Sequence, residues 1–248
     1  MIPLVWQAAL FGLVAGSALV VGAWAGYFLR LPKVLCSSIM AFGIGVLISA
    51  LAFDLMDEAF AEGGIWAATA GFALGGALYA GANAWLASAG ARKRKRSDRG
   101  GATAASASLA IAVGSLLDGI PESAAIGISL LDGEGVAIVA LAAIFVSNVA
   151  EGLSSTIGMK AAGKSARYIF TIWGSIAFAC ALSGMLGYVV VGQLGLFWIA
   201  AATACAAGAV FVMLIDTMIP EAFEKIHALS GPVAALGFLL AFAGSHVF

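Results

Sequence analysis

Apolar residues run along this chain in long stretches, broken by short groups of charged residues, Gly and Pro, and nowhere do they alternate with a period of two. Eight stretches are long enough to cross a bilayer: 3–29, 34–61, 65–89, 104–131, 136–159, 168–192, 196–222 and 231–247. A hydrocarbon core of roughly 30 Å takes about 20 helical residues, so each stretch predicts a membrane-spanning helix. Backbone groups in lipid are satisfied only by helices or closed barrels, and the missing alternation excludes the barrel. The expected fold is an all-α polytopic bundle, a single transmembrane domain over 1–248, with 90–103 as a short basic loop.

Composition strengthens this reading. Of 248 residues, 62% are hydrophobic and 10% charged, whereas soluble domains carry about 25% charged residues. The net charge of -1 and the lack of any basic cluster beyond one short run argue against a nucleic-acid partner. Cys36, Cys180 and Cys205 all fall within apolar stretches, a pattern that predicts no disulfide framework. The apolar stretch from Pro3 has no basic segment before it, so the first span is expected to remain in the mature protein.

The basic residues set an orientation. Arg30 and Lys33 lie between spans 1 and 2, six from Arg92 to Arg99 between spans 3 and 4, Lys160, Lys164 and Arg167 between spans 5 and 6, and Lys225 between spans 7 and 8. These are all twelve Lys and Arg, and every one falls in an odd-to-even loop. The positive-inside bias then places those loops in the cytoplasm and both termini outside. The Arg92 run is a topology anchor, with anionic lipid as its other reading. The pairs Gly12/Gly16, Gly22/Gly26 and Gly71/Gly75 have the spacing that lets helices approach closely. Trp6, Trp66 and Trp198 fall near the predicted interfaces.

Against this background the acids stand out. An ionised carboxylate at the bilayer centre costs roughly 2.5–3.5 kcal/mol on insertion scales, and no Lys or Arg lies at depth to pair with Asp118, Glu122 or Glu151. They are therefore either protonated or neutralised by a mobile cation. Asp118 and Glu122 are i, i+4 on span 4, with Ser115 and Gly119 beside them. Ser147 and Glu151 are i, i+4 on span 5, with Asn148, Ser154 and Ser155 on the same stripe. Pro121 has no amide hydrogen and frees the carbonyl of Leu117. Such a set of oxygens suits a divalent cation, and Asp118, Glu122, Ser147, Asn148 and Glu151 are the candidate metal ligands. Counting at about 1.5 Å per residue puts Glu122 and Glu151 roughly 12 Å apart along the membrane normal.

Acids also mark both ends of the bundle. Asp54, Asp57 and Glu58 close span 2 on the outer side and form a candidate entrance path. Asp216, Glu221 and Glu224 close span 7 on the inner side and, with His227, form a candidate exit path. Leu55-Met-Asp-Glu-Ala-Phe60 aligns with Met218-Ile-Pro-Glu-Ala-Phe223. Because spans 2 and 7 run in opposite directions, this predicts an inverted repeat of spans 1–3 and 6–8 around spans 4 and 5. A weaker echo aligns Asp118-Gly-Ile-Pro-Glu122 with Ser147-Asn-Val-Ala-Glu151.

In these residues and their order the chain resembles the ZIP transporters (Zrt- and Irt-like proteins), which move zinc and related divalent metals into the cytosol. The resemblance spans nearly the whole chain: eight helices, termini outside, a cytoplasmic loop between spans 3 and 4, and signatures H-N-x-P-E-G in span 4 and H-x-x-P-E in span 5. This sequence has Asp118-Gly119-Ile120-Pro121-Glu122-Ser123 for the first and Ser147-Asn148-Val149-Ala150-Glu151-Gly152 for the second. It departs at the histidines, at Gly119 in place of an asparagine ligand, and in span 6, where Cys180 or Ser175 stands near a position often acidic in bacterial members. The resemblance implies transport of a divalent metal as substrate, with no organic cofactor and no enzymatic activity, in a bacterial plasma membrane. Oxygen in place of nitrogen leaves zinc, manganese and iron all open as the cargo, with one bound ion expected. The expected partners are the cation and the lipid bilayer, with a homodimer left open. Two alternatives stand beside the carrier: a metal-binding homologue or sensor without transport, and an intramembrane aspartyl-type hydrolase. The hydrolase needs two acids close enough to share a proton, and the chain has no Gly-x-Gly-Asp element.

Overall fold

The computed structural model describes residues 3–29, 31–88, 104–131 and 138–247; the expected basic loop at 90–103, with its Arg92–Arg99 run, lies outside the described residues. All regular structure among the described residues is helical. The elements are α1 Leu4–Phe28, α2 Lys33–Ala50, α3 Met56–Ser88, α4 Ala104–Ile128, α5 Ile138–Ala161, α6 Ala166–Leu186, α7 Leu196–Met213, α8 Ile219–Ile226 and α9 Ser230–Val247. Among the described residues, six segments are long and apolar enough to cross a membrane, so this is an α-helical, multi-pass membrane protein.

One of those segments, Val34–Trp85, is 52 residues long. As a straight helix it would reach about 78 Å, more than twice the hydrocarbon thickness. It is broken at Gly64, whose φ of 71° and ψ of -177° are a conformation open to glycine but costly for other residues. The break falls between the predicted spans 34–61 and 65–89. Three helices also loosen into single π turns: α2 at Leu51–Leu55, α6 at Gly187–Val191 and α7 at Leu214–Met218. Pro220 lacks the amide hydrogen that would bond the Asp216 carbonyl, which accounts for the turn in α7. The turns in α2 and α7 occupy the same place in the two aligned sequences, directly before Met56-Asp-Glu-Ala-Phe60 and Ile219-Pro-Glu-Ala-Phe223.

Helices pack through glycine, as lipid leaves packing and hydrogen bonding to hold a bundle together. α2 lies along α9, and α3 along α7. A Cβ on Gly45 would sit 1.8 Å from the Ala234 carbonyl oxygen, and one on Gly237 would sit 2.2 Å from that of Phe42. At the other crossing the same relations recur: Gly208 meets the Phe72 carbonyl at 2.0 Å and Gly75 that of Cys205 at 1.8 Å. The α1–α5 contact, where Gly22 meets Val149 and Gly152 meets Leu19, likewise has a counterpart at α6–α4, where Gly187 meets Ala124 and Gly127 meets Gly184. The glycines of all three predicted pairs make such close approaches.

Large side chains fill the rest of the core. One cluster gathers Met40, Ile44, Leu47, Tyr79, Ile144 and Met213; a second gathers Leu19, Met159, Ile169 and Trp173 under α1, α5 and α6. Trp173 is fully buried and donates to the Thr156 hydroxyl at 2.8 Å. In contrast Trp6, Trp66 and Trp198 are exposed, consistent with contact to lipid or the interface. All three cysteines are free.

Candidate functional site

α4 and α5 bring the central acids into the interior. Asp118 and Glu122 are 3% and 1% exposed, Ser115, Ser147 and Asn148 are 2% exposed each, and Glu151 is half-buried. The Ser115 hydroxyl donates to Oε1 of Glu151 at 2.6 Å. This bond ties the two helices together. Ser115, which meets Glu151, lies seven residues or about 10 Å along α4 from Glu122, with Asp118 between them. The acids thus succeed one another along α4 as a ladder that Glu151 joins through Ser115. Among the described residues no three His, Cys, Asp or Glu side chains gather closely enough to hold a metal ion as they stand.

Each rung has its own surroundings. Asp118 accepts a hydrogen bond through Oδ1 from the Tyr79 hydroxyl of α3. One carboxylate oxygen of Glu122, Oε2, is buried with no hydrogen-bond partner. Two of the expected ligands bond to neighbouring helices. The Asn148 side-chain nitrogen donates to the Ala15 carbonyl at 3.0 Å, tying α5 to α1, and the Ser147 hydroxyl lies 3.5 Å from the Met218 sulfur as its donor. Gly119, where the resemblance leads one to look for an asparagine, is packed against α6. A Cβ there would lie 2.9 Å from the Cys180 sulfur, and the Cys180 thiol points to the Gly119 carbonyl at 3.7 Å. Cys180 also feels the charges of Glu122 and Glu151.

Two cavities adjoin the ladder at one end. The first is lined by Leu47, Leu51, Leu55, Ile144 and Val210 with Glu122 in its wall. The second is lined by Asp54, Glu58, Ser129 and Thr203. Both share Leu55, Ala125, Ala140 and Ile144, so together they lead from Asp54 and Glu58 to Glu122. Asp54 and Glu58 are half-buried, while Asp57 is exposed.

The candidate exit lies at the opposite end of α3. Asn83, 19 residues beyond Gly64 and thus about 28 Å along the helix, donates to Oδ2 of Asp216 at 3.2 Å. The Ser154 hydroxyl donates to Oε1 of Glu221. Asp216, Glu224 and His227 are exposed, and the His227 ring stands edge-on to Phe223 with centroids 5.5 Å apart. Sequence reasoning missed Tyr79, Asn83 and Met218. Their partners lie 39 to 133 residues away, on helices whose pairing no local pattern encodes. No protein-family model matches the chain, and no curated protein matches it either.

Proposed function

We propose that the chain is a transporter that carries a divalent metal cation into the cytosol along the ladder of Glu122, Asp118 and Glu151, as its resemblance to the ZIP transporters implies. The observation that carries this reading is Glu122: a carboxylate 1% exposed, with an unpartnered oxygen, in the wall of a largely apolar cavity that leads to further acids. Burying such a group is costly unless something charged or protic comes to it. A ladder of carboxylates with no Lys or Arg at depth gives a cation successive resting places, each close enough to the next for the ion to be handed on.

The topology belongs to the same proposal. Dividing Val34–Trp85 at Gly64 and adding α4 brings the six spans to eight, and the positive-inside bias then puts both termini outside a bacterial plasma membrane. The matched π turns and the exchanged glycine contacts support an inverted repeat, in which α2 and α9 mirror α7 and α3, and α1 and α5 mirror α6 and α4. Such repeats make alternating access a rocking of one half against the other. The cavities lie on the Asp54 side, and hydrogen bonds bridge the Asp216 side. This suits a state that receives the ion from outside, past Asp54 and Glu58, before releasing it past Asp216 and Glu221.

Zinc, manganese and iron are the candidate cargoes, and the carboxylates have to draw together around whichever ion binds. The spread of the ladder is also what favours the second reading, a metal-binding homologue that does not transport. The hydrolase reading gains nothing, because an oxygen of Asp118 is engaged by Tyr79 rather than by Glu122.

Thermal unfolding of the purified protein in a titration of each metal tests the binding half of the proposal. The cargo should raise Tm progressively, by an increment corresponding to about 2.7 kcal/mol at a hundred times Kd. A Tm indifferent to all three metals would refute it.

A further inference from the structure

Tyr79 is the one fully buried tyrosine among the described residues, 3% exposed within the large apolar cluster. Its hydroxyl donates to Asp118. Four residues on, one turn further along the same face of α3, Asn83 donates to Asp216. Positions i and i+4 lie above one another, about 6 Å apart along the axis. One edge of α3 therefore carries two donors, the first on the middle rung of the ladder and the second on the first acid of the exit.

We propose that Tyr79 is a positioning residue of the cation path, holding Asp118 while no cation is present and releasing it when one binds. It thereby sets the affinity of the middle rung and couples its occupancy to the α3 edge that reaches Asp216. This rests on the transport reading above. A carboxylate has about four lone-pair sites, and the phenol occupies one on the oxygen it bonds. A cation that approaches Oδ1 from the α3 side takes the lone pair the phenol occupies and displaces the hydroxyl. Displacement loosens α3 from α4 beside Asn83, one turn from the contact that ties α3 to Asp216. A purely structural tyrosine would stabilise the bundle without competing for the cation.

The test is metal uptake by proteoliposomes containing the wild type, Tyr79→Phe, Asp118→Asn and the double variant. Tyr79→Phe should lower KM by about tenfold to a hundredfold, the range expected when one hydrogen bond to a charged group no longer competes with the ion, without raising kcat. In the Asp118→Asn background the same substitution should leave KM where it stands. An unchanged or raised KM in Tyr79→Phe, or an equal fall in both backgrounds, would overturn the proposal. Should Tyr79→Phe fail to fold, the infrared difference spectrum of the wild type on adding manganese decides: phenol and carboxylate bands shift together if the ion displaces the hydroxyl, and a silent phenol band overturns the proposal. Wild-type vesicles that take up no metal would instead refute the transport reading itself.

Discussion

The two ends of the ladder are built from the same kinds of residue, with cavities beside Asp54 and Glu58 and hydrogen bonds between helices at Asp216 and Glu221. Towards Asp54, acids and apolar side chains surround space: two adjoining cavities reach Glu122. Towards Asp216, side chains are linked across helices, through Tyr79 to Asp118, Asn83 to Asp216, Ser154 to Glu221 and Ser147 to Met218. Side-chain hydrogen bonds between membrane helices average about 0.6 kcal/mol each. Four of them therefore sum to roughly 2–3 kcal/mol, the scale on which a minor conformation stays populated. The difference between the ends teaches that closing one mouth needs only a handful of weak contacts, which an arriving ion can repay.

Filling the space should have the largest effect. Ala140 lines both cavities, so Ala140→Phe should cut initial metal uptake to about one-tenth or less. It should also cost about 1–3 kcal/mol of stability, the strain of overpacking a tight space. Uptake rates and thermal unfolding on the same preparation check this pairing.

A smaller effect compares the ends directly. With Cys36, Cys180 and Cys205 replaced by Ala, Ala125→Cys should react with a small water-soluble thiol reagent about tenfold faster than Met218→Cys, a difference of about 1.4 kcal/mol in access. Adding Asn83→Ala and Ser154→Ala should narrow that ratio by a few-fold, since two bonds of about 0.6 kcal/mol are removed. Equal rates before those substitutions would abolish the distinction between the two ends.

Much of the bundle was legible in the sequence, because lipid admits few solutions. Long apolar runs predicted eight spans, against six candidate segments among the described residues, and the break between the second and third falls where Gly64 turns the chain. The central acids were legible as anomalies, since nothing else in those spans is charged. The match of Leu55–Phe60 with Met218–Phe223 was visible as letters, but the π turn before each one was not, because a π turn leaves no period of its own. The weaker echo between spans 4 and 5 pairs Glu122 with Glu151, a displacement of 29, while the glycine contacts of Gly152 and Gly127 differ by 25. Asn148 and Ser147 were placed on the correct stripe, but which neighbour each one bonds depends on helix pairing. For the same reason Gly119 gave no sign that Cys180 fills the space beside it.

Transport here depends on buried carboxylates whose charge is met by an ion in passage. The decisive experiment is uptake of zinc, manganese and iron into proteoliposomes, comparing the wild type with the Asp118→Ala, Glu122→Ala double variant. Saturable uptake of at least one metal is expected from the wild type and none above protein-free vesicles from the double variant. Equal flux in the two would contradict it.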